Sequence, residues 1–379
     1  MTKIYLIRHA EAEGNLYRRI QGHYDGKVTR RGMLQIDALA ERFKDIPIDA
    51  VYSSDLKRAM QTASAITGPR DLKLGTTPRL REVCMGVWED RTWGDIEIED
   101  PRQLAYFTSD PYKWNVEGSE SFPELSMRIT GIINELASKH DGETIALISH
   151  GMAIRVYLCA AMGIPSSDIG RVPHGDNTGV ALLETDETRT DIKYFNDNSH
   201  LNESISTFAR QSWWKGSSGA DKNNLRFEVM DPRKEKDLYL KCYAESWMAA
   251  HGDLNGFIPE LYQKGAENHA AADPAALVKA MRKDEFVGIV ELDTVTDREK
   301  NCGRLCLCFI LPEHRGKGYG IQLIGHAVSV FRKLGRKSLR LHVAESNTKA
   351  AEFYKYCGFS QIGADNGSGG RLLLMETEL

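Results

Sequence analysis

Two short apolar runs in this chain each end on a histidine. Ile4 to Ile7 runs into Arg8 and His9, and Glu143 to Ser149 runs into His150 and Gly151. Such runs, bounded by turn residues, read as buried strands. A helical pattern follows the second at once, with Ile154, Val156, Tyr157, Leu158 and Ala161 as its apolar residues. Strands alternating with helices predict an open α/β sheet, whose ligands bind outside the carboxyl ends of the strands. A third run, Ala50 to Tyr52, leads through Ser53-Ser54-Asp55 to Arg58. Ser54 or Asp55 is predicted to cap the next helix. Arg58 then falls in its first turn, where free backbone N–H groups favour an anion. Any one of these residues alone reads as an ordinary surface group. Their convergence does not, because buried cations and imidazoles are costly unless something anionic pairs with them. A phosphoryl group is the natural occupant.

The chain has 379 residues, too many for one typical core, and two domains are expected. The first is predicted over 1–210 and the second over 225–379. The stretch 211–224, rich in Gly, Ser, Asn and charge, reads as a linker. Trp213 and Trp214 are too apolar for a free linker and are expected to pack back on one domain. A net charge of −4 argues against non-specific nucleic-acid binding. Seven cysteines without a Cys-x-x-Cys pair indicate neither a disulfide framework nor a zinc site. Cys306 and Cys308 read as buried small hydrophobes. With no signal peptide at the N-terminus and no run near the ~18 apolar residues of a membrane span, a reducing cytoplasm and no membrane partner are expected.

Two further features belong to the first domain. Thr29 is predicted to cap a helix carrying Leu34, Ala38, Leu39 and Phe43. Glu82 sits among apolar residues beside a glycine turn, a setting for the raised pKa that a general acid requires.

Together these residues resemble the histidine phosphatase superfamily, the phosphoglycerate-mutase-like fold, over roughly residues 1 to 205. Leu6-Ile7-Arg8-His9-Ala10-Glu11 is similar to its Arg-His-Gly signature, with Ala10 in place of glycine. Ser53-Ser54-Asp55-Leu56 with Arg58-Ala59 and Thr62-Ala63, the segment around Glu82, Gly118-Ser119-Glu120-Ser121-Phe122, and Ser149-His150-Gly151 match its further signatures in order. The resemblance implies a three-layer α/β fold with His9 as nucleophile. Arg8, Arg58 and His150 would hold the phosphoryl oxygens, and Glu82 would act as acid and then base. Asn15, Gln21 and Gly22 would line the pocket. It implies a small phosphorylated metabolite as substrate and no metal, since arginines and imidazoles supply the positive charge. The domain is short for a mutase, which favours a phosphatase over a phosphomutase.

In the second half, strands are predicted at Leu225–Met230, Phe286–Leu292, Leu305–Ile310 and Ser338–Val343, with a helix from Asp231-Pro232. The third strand leads into Leu311-Pro312-Glu313-His314-Arg315-Gly316-Lys317-Gly318-Tyr319-Gly320, and a helix follows with Leu323, Ile324, Ala327, Val328 and Phe331 inward. A glycine-rich loop between strand and helix can cradle phosphates on backbone N–H groups. Neither a P-loop nor a dinucleotide fingerprint is met. Asn347 begins a helix with Ala350, Ala351, Phe353 and Tyr354, and Gly358 ends it. This half resembles the GNAT superfamily of N-acetyltransferases, a mixed α/β fold, over roughly 225 to 379. The resemblance implies acetyl-CoA as acetyl donor and an amine acceptor. Phe309, Ile310 and Leu311 would pair with the pantetheine arm, and Arg315, Gly316, Lys317, Gly318, Tyr319 and Gly320 would bind the pyrophosphate. Asn347 would contact the cofactor, and Tyr354 would protonate the leaving thiolate. Glu291 and Glu313 are candidates for the amine-side base, and the segment from Trp247 to Leu277 is expected to line the acceptor pocket. The whole chain reads as a bifunctional enzyme. A C-terminal half that senses acetyl-CoA without turnover is the alternative.

Overall fold

Alternation in β1 (Thr2–Arg8) sets the architecture of the first half. Ile4 and Leu6 point into one apolar cluster, with Ile145 and Leu147. Tyr5 and Ile7 point into another, with Ala146, Ile148 and Val51. A strand buried on both faces needs helices on both sides, and the result is three layers. The computed structural model describes residues 1–186, 189–211 and 223–379. Trp213 and Trp214 lie outside the described residues. The chain divides into two compact units, Met1–Asp221 and Lys222–Leu379.

The sheet of the first unit also contains β2 (Ala50–Ser53), β3 (Leu74–Thr76), β4 (Thr144–Ser149), β5 (Val180–Thr185) and β6 (Thr190–Asp197), in the order β3-β2-β4-β1-β5-β6. β1, β2, β3 and β4 are mutually parallel, β5 runs antiparallel to β1, and β6 antiparallel to β5. In register, Arg8 lies beside Ser149, and Ser53 beside Ile148. The residues after three neighbouring strands therefore emerge at one sheet edge.

Thr29 caps the Arg30–Phe43 helix as expected, accepting from Gly32 N at 3.0 Å. The inward face differs from the prediction: Leu34 is 50% exposed while Gln35 is fully buried. Gln35 accepts from Glu11 N and donates to Ile205 O and Thr207 Oγ1, so three polar partners outweigh one leucine. The Lys57–Thr67 helix has Leu56 as N-cap, not Ser54 or Asp55, and Asp55 instead takes both Nε and Nη2 of Arg81 at 2.6 Å. Arg58 still falls in the first turn.

The second unit holds a seven-stranded mixed sheet of β7 (Arg226–Val229), β8 (Leu277–Arg282), β9 (Glu285–Asp293), β10 (Cys302–Ile310), β11 (Ser338–Ala344), β12 (Ser360–Gly367) and β13 (Gly370–Glu378), in the order β12-β13-β11-β10-β9-β8-β7. The helix predicted from Asp231 begins later, at Lys236, because Asp231 folds a turn by accepting from Arg233 N. Leu323, Ile324, Ala327, Val328 and Phe331 are buried on the Gly320–Lys333 helix as expected. Gly358, at φ +94°, follows the Thr348–Tyr356 helix.

Candidate active sites

His9 is 3% exposed, and its Nδ1 lies 2.7 Å from Ala10 O. A carbonyl only accepts, so Nδ1 carries the proton and Nε2 holds the lone pair. The His150 ring stands beside it, with centroids 5.0 Å apart at 54°. Arg58 donates from Nη1 to Tyr24 O at 2.8 Å and from Nη2 to Gly22 O at 2.7 Å. Arg8 donates from Nη1 to Gly175 O at 2.5 Å and lies against Gly151. Among the described residues, Nε of Arg8, Nε of Arg58 and both ring nitrogens of His150 are buried without a hydrogen-bond partner. Four such polar atoms at one sheet edge are what an anion with several oxygens would satisfy.

Glu82 joins them from a different setting than predicted. Its Oε1 accepts from Val83 N and Ala153 N, and its Oε2 from Met152 N, each at 3.0 Å. The carboxylate is thus placed by the amino end of the Gly151–Ala161 helix rather than by apolar neighbours. The Gln21-Gly22 turn reaches the site, because Gly22, at φ +50°, offers its carbonyl to Arg58. Asn15 is turned to local work: its Oδ1 accepts from Ala12 N at 3.1 Å and starts the Glu13–Tyr17 helix. Asn177 gave no signal in the sequence. It is fully buried and donates from Nδ2 to His9 O at 2.9 Å, so it positions the backbone of the nucleophile candidate.

Burial, with Arg58 and Arg8 nearby, holds the His9 imidazole well below its ordinary pKa. Burial, then the Arg58 guanidinium, does the same for His150. His174 follows the pattern through burial, Arg155 and Arg8. These imidazoles stay neutral in acid that would protonate an exposed histidine. Below pH 6.5 the unfolded chain takes up protons that the folded chain refuses, so stability falls as pH falls. Melting temperature is expected to decline from pH 7.5 to 5. A flat profile there would mean that these rings protonate in the folded state.

In the second unit, β10 pairs with β11 only from Cys302 to Leu305. Beyond that point β10 keeps β9 and β11 keeps β13, and the two strands part. A register shift between Leu305 and Leu307 marks the parting. Cys306 and Cys308 are half-buried, correcting the reading that put them in the core; Leu305, Leu307 and Phe309 take the buried face. Two backbone groups expected to serve a pantetheine arm are engaged within the protein: Ile310 O accepts from Arg315 Nε at 2.9 Å, and Leu311 N donates to Val287 O. Gly316 and Gly318 have φ of +75° and +80°, and no atom lies within 4 Å of a Cβ placed on either. Gly320 serves packing, since a Cβ there would meet Phe353 at 2.9 Å. Tyr319 is 1% exposed, so only its backbone can face a ligand, while Lys317 and Arg315 are exposed.

Tyr354 is half-buried, and burial, then Cys308 and Cys357, pushes its phenol well up, so it keeps its proton. Asn347 Oδ1 accepts from Ala350 N at 3.2 Å as a helix cap. Glu291, 2% exposed, accepts from Tyr239 OH at 2.9 Å and lies 2.8 Å from His269 Nδ1, while Glu313 is exposed. Tyr243 stacks on Tyr262 at 4.1 Å, with Phe257 and Trp247 beside them.

One unit with an open sheet that gathers two imidazoles, two guanidiniums and a carboxylate, and a second unit whose mixed sheet parts at a glycine loop, define a two-domain α/β protein. The chain belongs to the histidine phosphatase superfamily (branch 1), whose family model matches residues 4–198, and residues 235–359 match the acetyltransferase (GNAT) family. Phosphoserine phosphatase 1 of Hydrogenobacter thermophilus is 30% identical over 203 residues, covering 54% of this chain and 96% of that protein. A probable phosphoglycerate mutase, GpmB of Proteus mirabilis, is 31% identical over 207 residues, covering 52% of this chain and 96% of its own. Among solved structures, Bacillus stearothermophilus YhfR aligns with a TM-score of 0.52 at 28% identity, covering 53% of this chain and all of that one. Among the described residues, no helix is long and apolar enough to cross a membrane.

Proposed function

We propose that the first unit hydrolyses small phosphate monoesters through a phosphohistidine on His9. The partnerless donors around His9 carry this reading. The lone pair on His9 Nε2 attacks phosphorus, and the ester P–O bond breaks as Glu82 passes a proton to the leaving oxygen. Water, giving a proton to Glu82, then attacks phosphorus; the P–N bond breaks with its electron pair returning to His9 Nε2, and phosphate is released. Arg8, Arg58 and His150 supply donors where charge sits on the equatorial oxygens. Phosphoserine, named in one relative, is a first substrate to try. The GpmB relatives favour a second reading, phosphomutase, which a requirement for a bisphosphorylated primer would reveal. The test is Glu82→Gln on two substrates. Hydrolysis of an alkyl phosphate is expected to fall by ~10²-fold or more, and that of an activated aryl phosphate much less, since only the alkoxide needs a proton to leave. Equal losses would remove Glu82 from that role.

For the second unit we propose acetyl transfer from acetyl-CoA to an amine. The parted strands and the open glycine loop support it. Acetyl-CoA supplies the acetyl group when bound. Arg315, Gly316, Lys317 and Gly318 would hold its pyrophosphate, and the unpaired edge of β10 from Cys306 to Phe309 its arm. Tyr354 keeps a proton for a departing thiolate. Glu291, buried with His269 Nδ1 2.8 Å away, is the candidate to receive the amine's proton. A reducing cytoplasm suits seven free thiols.

A further inference from the structure

His23, Cys84 and Glu89 each bring one potential ligand atom to a common point, all within 4.8 Å of one another. They sit on two segments that also build the phosphatase pocket. His23 follows Gly22, whose carbonyl holds Arg58, and Cys84 comes two residues after Glu82. We infer that these three side chains bind a thiophilic divalent cation, zinc above all, and that the bound ion slows phosphoryl transfer.

The donor set is one imidazole nitrogen, one sulfur and one carboxylate oxygen, which suits zinc with a fourth position left for water. The surroundings orient each ligand. His23 Nε2 lies 2.9 Å from Glu82 O, so Nε2 carries the ring proton and Nδ1 the lone pair. Glu89 Oε1 accepts from His23 N at 2.8 Å and Met85 N at 3.1 Å, which fixes the carboxylate and leaves Oε2 for an ion. Cys84 Sγ lies 3.4 Å from Gly118 O and is half-buried, within reach of solvent ions. On binding, the S–H proton passes to buffer as the S–Zn bond forms.

The effect on catalysis follows from Arg58. Glu89 Oε1 holds His23 N at 2.8 Å, and the carbonyl of Gly22, the preceding residue, holds Arg58 Nη2 at 2.7 Å. An ion that draws the Glu89 carboxylate and the His23 ring together moves the turn that carries this carbonyl. Arg58 is then displaced from the phosphoryl oxygens it would serve.

Zinc binding is independent of the proposed phosphatase chemistry, and the two arms of the test fail separately. Zinc chloride is titrated calorimetrically into the full chain, freed of metal by chelator, for wild type, Cys84→Ser, Glu89→Gln and His9→Ala. Wild type and His9→Ala are expected to bind one ion with proton release, and the other two variants at least ~10-fold more weakly. Cobalt is expected to give a thiolate charge-transfer band that Cys84→Ser lacks. In metal-free buffer Cys84→Ser is expected to hydrolyse an aryl phosphate within about two-fold of wild type, with half-inhibition by zinc shifted upward by ~10-fold or more. Equal zinc affinity in Cys84→Ser, or loss of zinc in His9→Ala, would overturn the site, the latter by placing the ion in the catalytic pocket. Zinc inhibition unchanged in Cys84→Ser would overturn the regulatory part. Melting curves check folding, and Glu89→Gln carries the same comparison if Cys84→Ser does not fold.

Discussion

Replacing His9 by alanine is expected to abolish hydrolysis of phosphate monoesters while leaving acetyl-CoA affinity unchanged. The ring is the one group at the β1 end that combines an unprotonated nitrogen with a fixed orientation, through Nδ1 on Ala10 O and Asn177 on its own carbonyl. His150 stands 5.0 Å away, but its nitrogens have no partner to orient them for attack, and its place as helix N-cap suits oxygen binding. Loss of a nucleophile removes the covalent route, whereas loss of one donor such as Arg58 removes only ~10²–10³-fold. The check is an initial-rate assay on p-nitrophenyl phosphate, with rapid acid quenching of wild type to find acid-labile phosphate on His9. A His9→Ala protein of near-normal rate would end the covalent mechanism.

The second large effect is expected in the glycine loop. With φ at +80°, Gly318 cannot be replaced by valine without strain of ~1–3 kcal/mol. A valine variant would therefore mix lost stability with lost binding. Asparagine tolerates the left-handed region and separates the two effects. Gly318→Asn is expected to keep its melting temperature within a few degrees while weakening acetyl-CoA at least ~10-fold, about 1.4 kcal/mol. The cause is a side chain placed where the backbone must approach a pyrophosphate. No protein atom competes for that space, since nothing lies within 4 Å of a Cβ there. Calorimetric titration of acetyl-CoA beside a melting curve distinguishes the outcomes. Normal affinity in Gly318→Asn would make the loop a plain turn.

The strand ends were legible because a buried strand leaves an unmistakable apolar run, and Arg8, His9 and His150 stand where two such runs stop. Parallel pairing then makes neighbours of residues 141 positions apart, His9 and His150, at no further cost in sequence signal. Polar burial left no such trace. Gln35 is inside and Leu34 outside because of partners near residues 11 and 205, which no local period reveals. Asp55 looks like a helix cap in sequence because its competing partner, Arg81, lies 26 residues away. Glu82 shows the same limit: its neighbours in sequence are apolar, yet its neighbours in space are backbone amides 70 and 71 residues on. The His23, Cys84 and Glu89 cluster escaped every spacing rule, since its members share no motif.

The short seam between β10 and β11 bears on how long this unit lasts under load. Four residue pairs, Cys302–Leu305 against Ser338–Leu341, join the β7–β10 part of the sheet to the β11–β13 part. An extended ligand lying along the open edge of β10 acts as a missing strand and closes the parting from within. Occupancy then becomes durability: a ligand at 100 times its Kd adds about 2.7 kcal/mol against unfolding. Amides along that edge would exchange with solvent more slowly as ligand rises, and proteolysis through the opening would slow with them. The lifetime of the second unit would thereby record the supply of whatever ligand lies along that edge.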